Sequence, residues 1–351
     1  MRDIDKVNSQ SSVGRESYID YIRAFAAVTV VLLHIVMTLP ANYTVEQLGV
    51  NNSIIFNGIY MPTKWAVPCF VMITGALLLR PEKNLEVTKI CNYIRRMLCV
   101  LVLFGTSFAL MELIYSERII KIQMFLKAIL NVLEQKSWSH LWYIYVLIGL
   151  YVVTIPLKCA IQKMKPKEFD LLIYVLIIGN FLVPTINTLA KTDIYTFMIL
   201  SEYATYFLLG YWLTTKKNIL GNYTLLIAIG ISLVMIFLET LSLKYNKTVF
   251  ELNHQSKDIM TMIQSISMFL FLKNVCEQRN HGKLISLFSN CSFGIYIMHP
   301  FWINIIYKGL KITPLSMPIG IGIVVLFIAV LILSVGTAYV LKRLPYLKEI
   351  M

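Results

Sequence analysis

The first long apolar stretch of the chain carries titratable side chains at a spacing that could support chemistry. In YIDYIRAFAAVTVVLLHIVM, Arg23 and His34 lie eleven residues apart. In an α-helix, eleven steps of about 100° return to within about 20° of the starting direction, roughly 16 Å further along the axis. Both side chains are therefore expected on one face, together with Asp20 and Ala27. A histidine in a dry site can accept the proton of a hydroxyl group. A purely structural explanation of these residues is also open: Asp20 and Arg23 would form an ion pair at the membrane interface, and His34 would only hydrogen-bond a neighbouring helix.

A second polar stripe lies in SNCSFGIYIMHPF, towards the end of the chain. Ser292, Tyr296 and His299 follow one another at four and three residues, so a helix places them on one face. Pro300 cannot donate a backbone hydrogen bond, and its ring crowds the carbonyl group of Tyr296. A kink at this point would open a binding cavity, although membrane helices also kink at proline for purely structural reasons.

Further polar residues in apolar surroundings are candidates for binding. The guanidinium groups of Arg95 and Arg96, in NYIRRML, are suited to phosphate groups, but arginines that flank a membrane helix also arise from topology alone. His140 and Trp142 open another apolar stretch, at a position where an aromatic belt would also place a tryptophan. Glu202 lies inside an apolar stretch and needs a partner there.

The elements that must position these side chains are long apolar segments. Of the 351 residues, 57% are hydrophobic and only 15% are charged, whereas a soluble domain carries roughly a quarter charged residues. Runs long enough to cross a bilayer, roughly 20 residues each, recur near 19–40, 63–80, 96–114, 140–158, 170–190, 195–214, 222–243, 258–276, 286–307 and 317–341. We predict an all-α integral membrane protein, a bundle of about ten transmembrane helices that forms a single domain over residues 1–351. These apolar runs exclude the class of soluble enzymes.

The net charge of +13 can be explained by how Lys and Arg are distributed between the two sides of such a bundle. With the N-terminal tail, residues 1–18, in the cytoplasm, the inner segments hold twenty Lys and Arg residues and the outer segments eleven. The positive-inside rule expects this excess and places the C-terminal tail, residues 342–351, on the same side. We therefore predict a multi-pass protein of the cell membrane, with the lipid bilayer as a partner and no nucleic acid. The six cysteines show no paired spacing, so we expect neither disulfides nor a metal site.

Three predicted outer loops, near residues 41–62, 115–139 and 244–257, are long enough to hold structure of their own, and the second has a clear pattern. Its apolar residues recur at three and four residues: Ile119, Ile122, Phe125, Leu126, Ile129 and Leu133. This pattern is typical of an amphipathic helix, which would either lie on the membrane surface or pack on the bundle as an ordinary connector.

Five segments of the chain follow one another in an order that matches a known family. The first, IDYIRAFAAVTVVLLH, contains an arginine, ten residues and a histidine, here Arg23 and His34. The other four are VPCFVMITGALLL, HLWYIYVLIGLYVVTIPL, YFLLGYWL and SFGIYIMHPF. Together they resemble the membrane-bound acyltransferase family called acyltransferase-3, over essentially the full chain. Thr74 stands where that family commonly has serine, and it keeps the hydroxyl group.

The resemblance implies a membrane O-acyltransferase. Such an enzyme moves an acyl group, usually acetyl from cytoplasmic acetyl-CoA, to a hydroxyl of a cell-envelope sugar, glycan or similar small acceptor. It implies His34 as the catalytic residue with Arg23 as its partner, and Arg95 and Arg96 as contacts for the phosphates of coenzyme A. The candidates for substrate binding are His299, Tyr296, Glu202, Trp142 and His140. The expected partners are acyl-CoA and the acceptor, no cofactor is expected to be bound permanently, and a homodimer is left open.

Two mechanisms and two functions stay open at this point. His34 either acts as a general base while the acceptor attacks acetyl-CoA directly, or carries the acetyl group itself. The same segments also resemble the membrane part of the serine racemases of vancomycin resistance. That resemblance implies a domain that binds or transports serine without acylation.

Overall fold

The computed structural model of the protein describes residues 17–117, 121–195, 200–216, 221–246, 258–280 and 282–350. Within these residues every regular element is helical. The α-helices are α1 Ser17–Asn42, α2 Val45–Leu48, α3 Val50–Tyr60, α4 Ala66–Leu78, α5 Val87–Val100, α6 Thr106–Glu117, α7 Gln123–Leu133, α8 Trp142–Lys163, α9 Pro166–Ile177, α10 Val183–Ala190, α11 Glu202–Thr215, α12 Thr224–Asn246, α13 Ile259–Cys276, α14 Lys283–Asn304 and α15 Ile319–Leu341. Residues 1–16 of the predicted N-terminal tail lie outside the described residues.

Eight helical segments in the described part of the chain are long and apolar enough to cross a membrane. They are Ser17–Asn42, Val50–Leu78, Val87–Glu117, Ser139–Lys163, Pro166–Ala190, Thr224–Lys244, Ile259–Cys276 and Ile319–Leu341. The other two predicted spans also form helices, α11 and α14, but α11 has only 14 residues and polar side chains interrupt α14. The prediction of an all-α membrane bundle is confirmed, and the cytoplasmic placement of both termini stays a prediction.

Turns of π-helix join some of these segments into longer rods. One turn, Leu101–Gly105, connects α5 to α6, and another, Ile178–Leu182, connects α9 to α10. A third, Ile305–Gly309, follows α14. Because lipid offers no hydrogen-bonding groups, a chain that changes pitch inside a membrane must keep its backbone bonds internal. A π-turn changes the pitch while it retains that helical bonding.

The helix that carries Arg23 and His34 lies inside the bundle. α1 contacts α4, α13, α14 and α15. Its residues Ile22, Ala26 and Val30 belong to the main apolar core, and Val31 and Ile35 belong to a second core shared with α14 and α15. Polar side chains on α1 therefore face other helices rather than lipid.

Two glycines bring α4 and α11 into backbone contact. A Cβ atom added at Gly75 would lie 1.7 Å from the carbonyl oxygen of Phe207, and one added at Gly210 would lie 1.8 Å from that of Met72. Only hydrogen fits at both positions, as at close helix crossings in membranes generally. This crossing fixes the wall of α4 that borders the cavity next to Arg23 and His34.

The predicted amphipathic helix forms as α7. Its narrow buried face consists of Met124, Ala128 and Val132. Its exposed side is largely apolar: Ile122 just before the helix and Phe125, Leu126, Leu130 and Leu133 on it are between 54% and 92% exposed, with Lys127 exposed among them. A helix with this distribution suits the membrane interface. Ile119, which also belongs to the predicted stripe, lies outside the described residues.

Candidate active site

The ring of His34 is held in one orientation by its own helix. Its Nδ1 atom lies 3.0 Å from the carbonyl oxygen of Val30, one turn earlier. Because a carbonyl oxygen can only accept a hydrogen bond, Nδ1 carries the proton and the Nε2 atom of the neutral ring keeps its lone pair. The side chain is only partly buried. His34 therefore presents a basic nitrogen to open space in the middle of the bundle.

Two cavities open on opposite sides of this ring, each of about 330 Å³. The one nearer the N-terminal end of α1, called the proximal cavity here, is lined by residues that include Arg23, His34, Thr74, Arg96, His140, Trp142, Tyr143, Ser292 and Tyr296. The one nearer the C-terminal end of α1, the distal cavity, is lined by residues that include His34, Thr38, Asn42, Tyr60, Lys64, Ser139, His140, Trp142 and Tyr203.

Few side chains border both cavities. His34, Val67, His140 and Trp142 line the proximal and the distal cavity alike. Arg23 lies eleven residues before His34 on α1, and Asn42 lies eight residues after it. At about 1.5 Å per residue, the two cavities extend roughly 16 and 12 Å along the helix from the histidine. His34 thus stands at the junction of two spaces that lead to opposite ends of α1.

Three imidazole rings gather at this junction. The ring centroid of His34 lies 4.7 Å from that of His299, which in turn lies 5.9 Å from that of His140. Tyr296 lies beside His140, with their ring centroids 5.7 Å apart, and its hydroxyl donates to the backbone carbonyl of His140. The structure thus brings together four of the predicted site residues, which come from α1, α14 and the turn before α8. His299 is fully buried and is not among the residues that line the two cavities.

A cluster that the sequence did not reveal holds His140 in place. Trp138 stacks flat on Phe108 with a centroid separation of 4.4 Å, and both rings lie within 6.2 Å of the His140 ring. The indole Nε1 of Trp138 donates to Glu112 at 3.3 Å. Both oxygens of that carboxylate accept from the ammonium group of Lys308, at 2.8 and 2.7 Å. The partners lie far apart in sequence, so helical periodicity gives no signal for this arrangement.

The predicted arginines fall in different environments. Arg23 and Arg96 both line the proximal cavity and are partly buried. The Arg96 guanidinium lies 5.5 Å from the ring centroid of Phe293, and its Nε donates to the carbonyl of Ile350 at 2.9 Å. Arg95 is exposed and is not among the lining residues. Adjacent helix residues point about 100° apart, so the same face cannot hold both arginines.

A buried ion pair borders the distal cavity. The ammonium group of Lys64 lies 3.0 Å from the carboxylate of Asp258, and their side chains are only 1% and 6% exposed. Asp258 caps the N-terminus of α13, where it also accepts from the backbone N–H and the hydroxyl of Thr261. From the sequence, Lys64 is only one of the eleven Lys and Arg residues of the outer segments. Its partner lies 194 residues away, and no local pattern links the two.

Glu202 lies at the edge of the site rather than inside a cavity. It is buried as the first residue of α11, where Ser201 caps the helix by accepting from the Ala204 N–H at 3.2 Å. A carboxylate at a helix N-terminus is favoured by the helix dipole. The next residue, Tyr203, lines the distal cavity with its ring centroid 5.0 Å from that of Trp142. Tyr203 is thus a site residue that the sequence analysis did not name.

Comparison with known proteins identifies the family of the chain. The model of the acyltransferase-3 family, described as an acyltransferase domain, matches residues 16–343. The sequence matches no curated protein and no solved structure. The family match spans nearly the whole chain, which confirms the resemblance predicted from the five segments. The chain belongs to the acyltransferase-3 family and is a membrane acyltransferase with several transmembrane helices.

Proposed function

We propose that the protein transfers an acetyl group from acetyl-CoA in the proximal cavity to a hydroxyl group of an acceptor in the distal cavity. The observation that carries this proposal is the position of His34, which borders both cavities with an available ring nitrogen. In this reading the cell membrane separates the donor from the acceptor. The acceptor is a sugar, glycan or similar small molecule of the cell envelope.

The proximal cavity suits a phosphorylated thioester donor. Arg23 and Arg96 provide two guanidinium groups on its lining, and guanidinium groups bind phosphate strongly in partly desolvated sites. Thr74 and Tyr143, which carry hydroxyl groups, also line this cavity. Arg95, exposed at the same end of α5, can add long-range attraction but no contact inside the cavity.

The distal cavity suits an uncharged hydroxyl acceptor. Trp142, Tyr203 and Tyr60 supply aromatic surface, and Thr38, Asn42 and Ser139 supply groups that can hydrogen-bond hydroxyls. The one lysine among its lining residues, Lys64, is neutralised by Asp258. A neutral aromatic cavity with a few polar groups is typical of sites for small polar molecules.

His34 can supply the chemistry by either of two routes. As a general base, its Nε2 takes the proton of the acceptor hydroxyl while the hydroxyl oxygen attacks the thioester carbonyl and the coenzyme A thiolate leaves. As a carrier, Nε2 attacks the thioester first, the thiolate leaves, and the acetyl-imidazole then passes the acetyl group to the acceptor. In both routes the proton of the hydroxyl finally resides on the coenzyme A thiol.

The proposal is tested with purified protein in lipid nanodiscs and acetyl-CoA that carries a radioactive acetyl group, with water, serine and methyl glucoside as probe acceptors. His34→Ala should reduce acetyl release and transfer at least a hundredfold, the lower range for a lost general base. Phe25→Ala on the same helix is the matched control, because Phe25 is 46% exposed and borders neither cavity. Normal turnover by His34→Ala would contradict the proposal.

The two routes separate in the same preparation. Protein mixed with labelled acetyl-CoA without added acceptor should retain hydroxylamine-sensitive label if His34 is the carrier. That label should disappear in His34→Ala. Turnover without any trapped label would favour the general-base route.

A second candidate function is passage or binding of serine without acylation. The two cavities that meet at one ring favour it, because a small solute could use the same path. Serine uptake into proteoliposomes in the absence of acetyl-CoA, with no acetyl-CoA turnover, would support this function. Acetyl-CoA turnover that depends on His34 would exclude it as the main activity.

A further inference from the structure

A third cation borders the proximal cavity, besides Arg23 and Arg96. Lys342 is the first residue after α15, and it is among the residues that line this cavity. Its ammonium group donates a hydrogen bond to the backbone carbonyl of Asn290 on α14, and Asn290 lines the same cavity. This bond holds the charged end of a flexible side chain at one place on the cavity wall.

The residue that follows Lys342 has a different environment. Arg343 is exposed and is not among the lining residues. Its guanidinium group lies 4.3 Å from the ring centroid of Tyr339 and donates to the hydroxyl of that residue. The positive-inside rule accounts for basic residues at the end of a membrane helix in general. It does not account for the direction of one of them towards a cavity.

The charged side chains on the lining of the proximal cavity are all positive. Arg23, Arg96 and Lys342 come from three separate parts of the fold and border the same space. No Asp or Glu side chain lines this space in the part of the chain that the structure describes. Asp20 accepts a hydrogen bond from the lining residue Ser289 at 2.6 Å, but it is itself only 1% exposed and does not line the cavity. Three cations without a carboxylate suit a ligand that carries several negative groups.

Lys342 lies at the end of this cavity that is remote from His34. Asn290, to which Lys342 is bonded, precedes His299 by nine residues on α14, and the ring of His299 lies against that of His34. Nine residues of an α-helix span roughly 13 Å. A donor whose thioester reaches His34 therefore has its opposite end in the region of Lys342. In acetyl-CoA that opposite end is the adenosine with its 3′-phosphate.

We propose that Lys342 recognises the 3′-phosphate of coenzyme A, while Arg23 and Arg96 bind the pyrophosphate. This inference rests on the proposed use of acetyl-CoA as the donor. A phosphate monoester carries about 1.5–2 negative charges at neutral pH, and an ammonium group binds it as a compact point charge. Planar guanidinium groups suit the paired oxygens of a diphosphate. Lys342 thereby makes the protein selective for coenzyme A over related molecules that lack the 3′-phosphate.

The test measures equilibrium binding by isothermal titration calorimetry, with coenzyme A and 3′-dephospho-coenzyme A as the two probes. The full chain is held in phosphatidylcholine nanodiscs, so that no anionic lipid competes for the cations. The wild type should bind coenzyme A roughly tenfold to 150-fold more tightly than the dephospho probe, the range for one hydrogen bond to a charged group. Lys342→Gln should lose this preference, because its Kd for coenzyme A should rise while its Kd for the dephospho probe stays unchanged.

Two further variants separate recognition of the phosphate from packing and from net charge. Lys342→Arg keeps the positive charge and should retain most of the preference. Arg343→Gln is the matched control, because it removes one charge at the adjacent, exposed position, and it should bind both probes like the wild type. A wild type that binds neither probe or binds both equally would overturn the assignment. Equal loss of affinity for both probes in Lys342→Gln, or loss of the preference in Arg343→Gln, would overturn it as well.

Binding is measured without turnover, so this site and the proposed acyl transfer can fail separately. A wild type that prefers coenzyme A through Lys342 but transfers no acetyl group would support the phosphate site and contradict the acyl transfer. Acetyl transfer that depends on His34, in a protein that binds the two probes equally, would contradict only the role of Lys342.

Discussion

Replacement of Arg96 by Gln tests how the proximal cavity binds its donor. Arg96 borders this cavity, whereas Arg95, the preceding residue, is exposed and does not. A hydrogen bond to a charged group contributes about 1.5–3 kcal/mol. At about 1.4 kcal/mol for each factor of ten, loss of one such bond to a phosphate should raise the KM for acetyl-CoA roughly tenfold to 150-fold. Since the contact is made equally before and during the reaction, kcat should change little.

The assay is acetyl-CoA turnover in nanodiscs, with Arg95→Gln as the matched control. Both variants lose one positive charge at neighbouring positions of α5, so they alter the surface potential alike. We expect the KM of Arg95→Gln to stay close to that of the wild type. Acetyl-pantetheine, which lacks the nucleotide phosphates, should be used equally well by the wild type and Arg96→Gln. Equal effects of the two substitutions on KM would contradict this prediction, because the proximal cavity would then attract the donor only through net charge.

Three further substitutions test the packing and charge around the site by thermal unfolding in detergent. Gly75→Ala should destabilise the protein by about 1–3 kcal/mol or more, because its Cβ would lie 1.7 Å from the Phe207 carbonyl oxygen. An unchanged melting temperature would mean that the two helices separate freely. Lys64→Met should lower the free energy of unfolding by about 3–5 kcal/mol, because it leaves a buried carboxylate without its cation. Adding Asp258→Asn should restore much of that stability. Equal destabilisation of the single and the double variant would show that the two residues are not coupled. Burial and the neighbouring cations lower the pKa of Lys83, so its protonated form opposes folding. Lys83→Gln should therefore raise the melting temperature near pH 7, and this gain should become smaller as the pH approaches about 10.4, the ordinary pKa of a lysine side chain. A lower melting temperature of the variant near pH 7 would contradict this prediction.

Helical periodicity was enough to predict the polar stripe of α1. Arg23 and His34 were placed on one face from their spacing alone, and both line the proximal cavity. The same rule worked for only part of α14. Ser292 and Tyr296 border that cavity, but His299 is turned away behind His34. The spacing of polar residues predicts which face of one helix they share. Which residues of other helices lie against that face depends on how the helices pack.

Other site features depend on contacts between distant segments. Lys64 meets Asp258 only because α4 and α13 are brought together, and neither residue stands in a recognisable motif. His140 was a candidate for substrate binding from the sequence, but only the packed structure shows that it borders both cavities. The paired arginines looked equivalent, whereas their helical directions separate Arg96 from Arg95. Local patterns thus predicted the elements and some directions, while the tertiary arrangement decided which side chains share a cavity.

We propose that the acyl donor and the acceptor reach His34 from opposite sides of the membrane. Sealed vesicles of both orientations, prepared from cells that produce the protein, can be given externally supplied acetyl-CoA with a radioactive acetyl group. We predict that only the orientation that exposes the proximal cavity will transfer the label, as alkali-sensitive acetyl esters on molecules inside the vesicles. His34→Ala should abolish this transfer. Labelled esters that form only on the side of the added acetyl-CoA, or normal transfer by His34→Ala, would contradict this proposal.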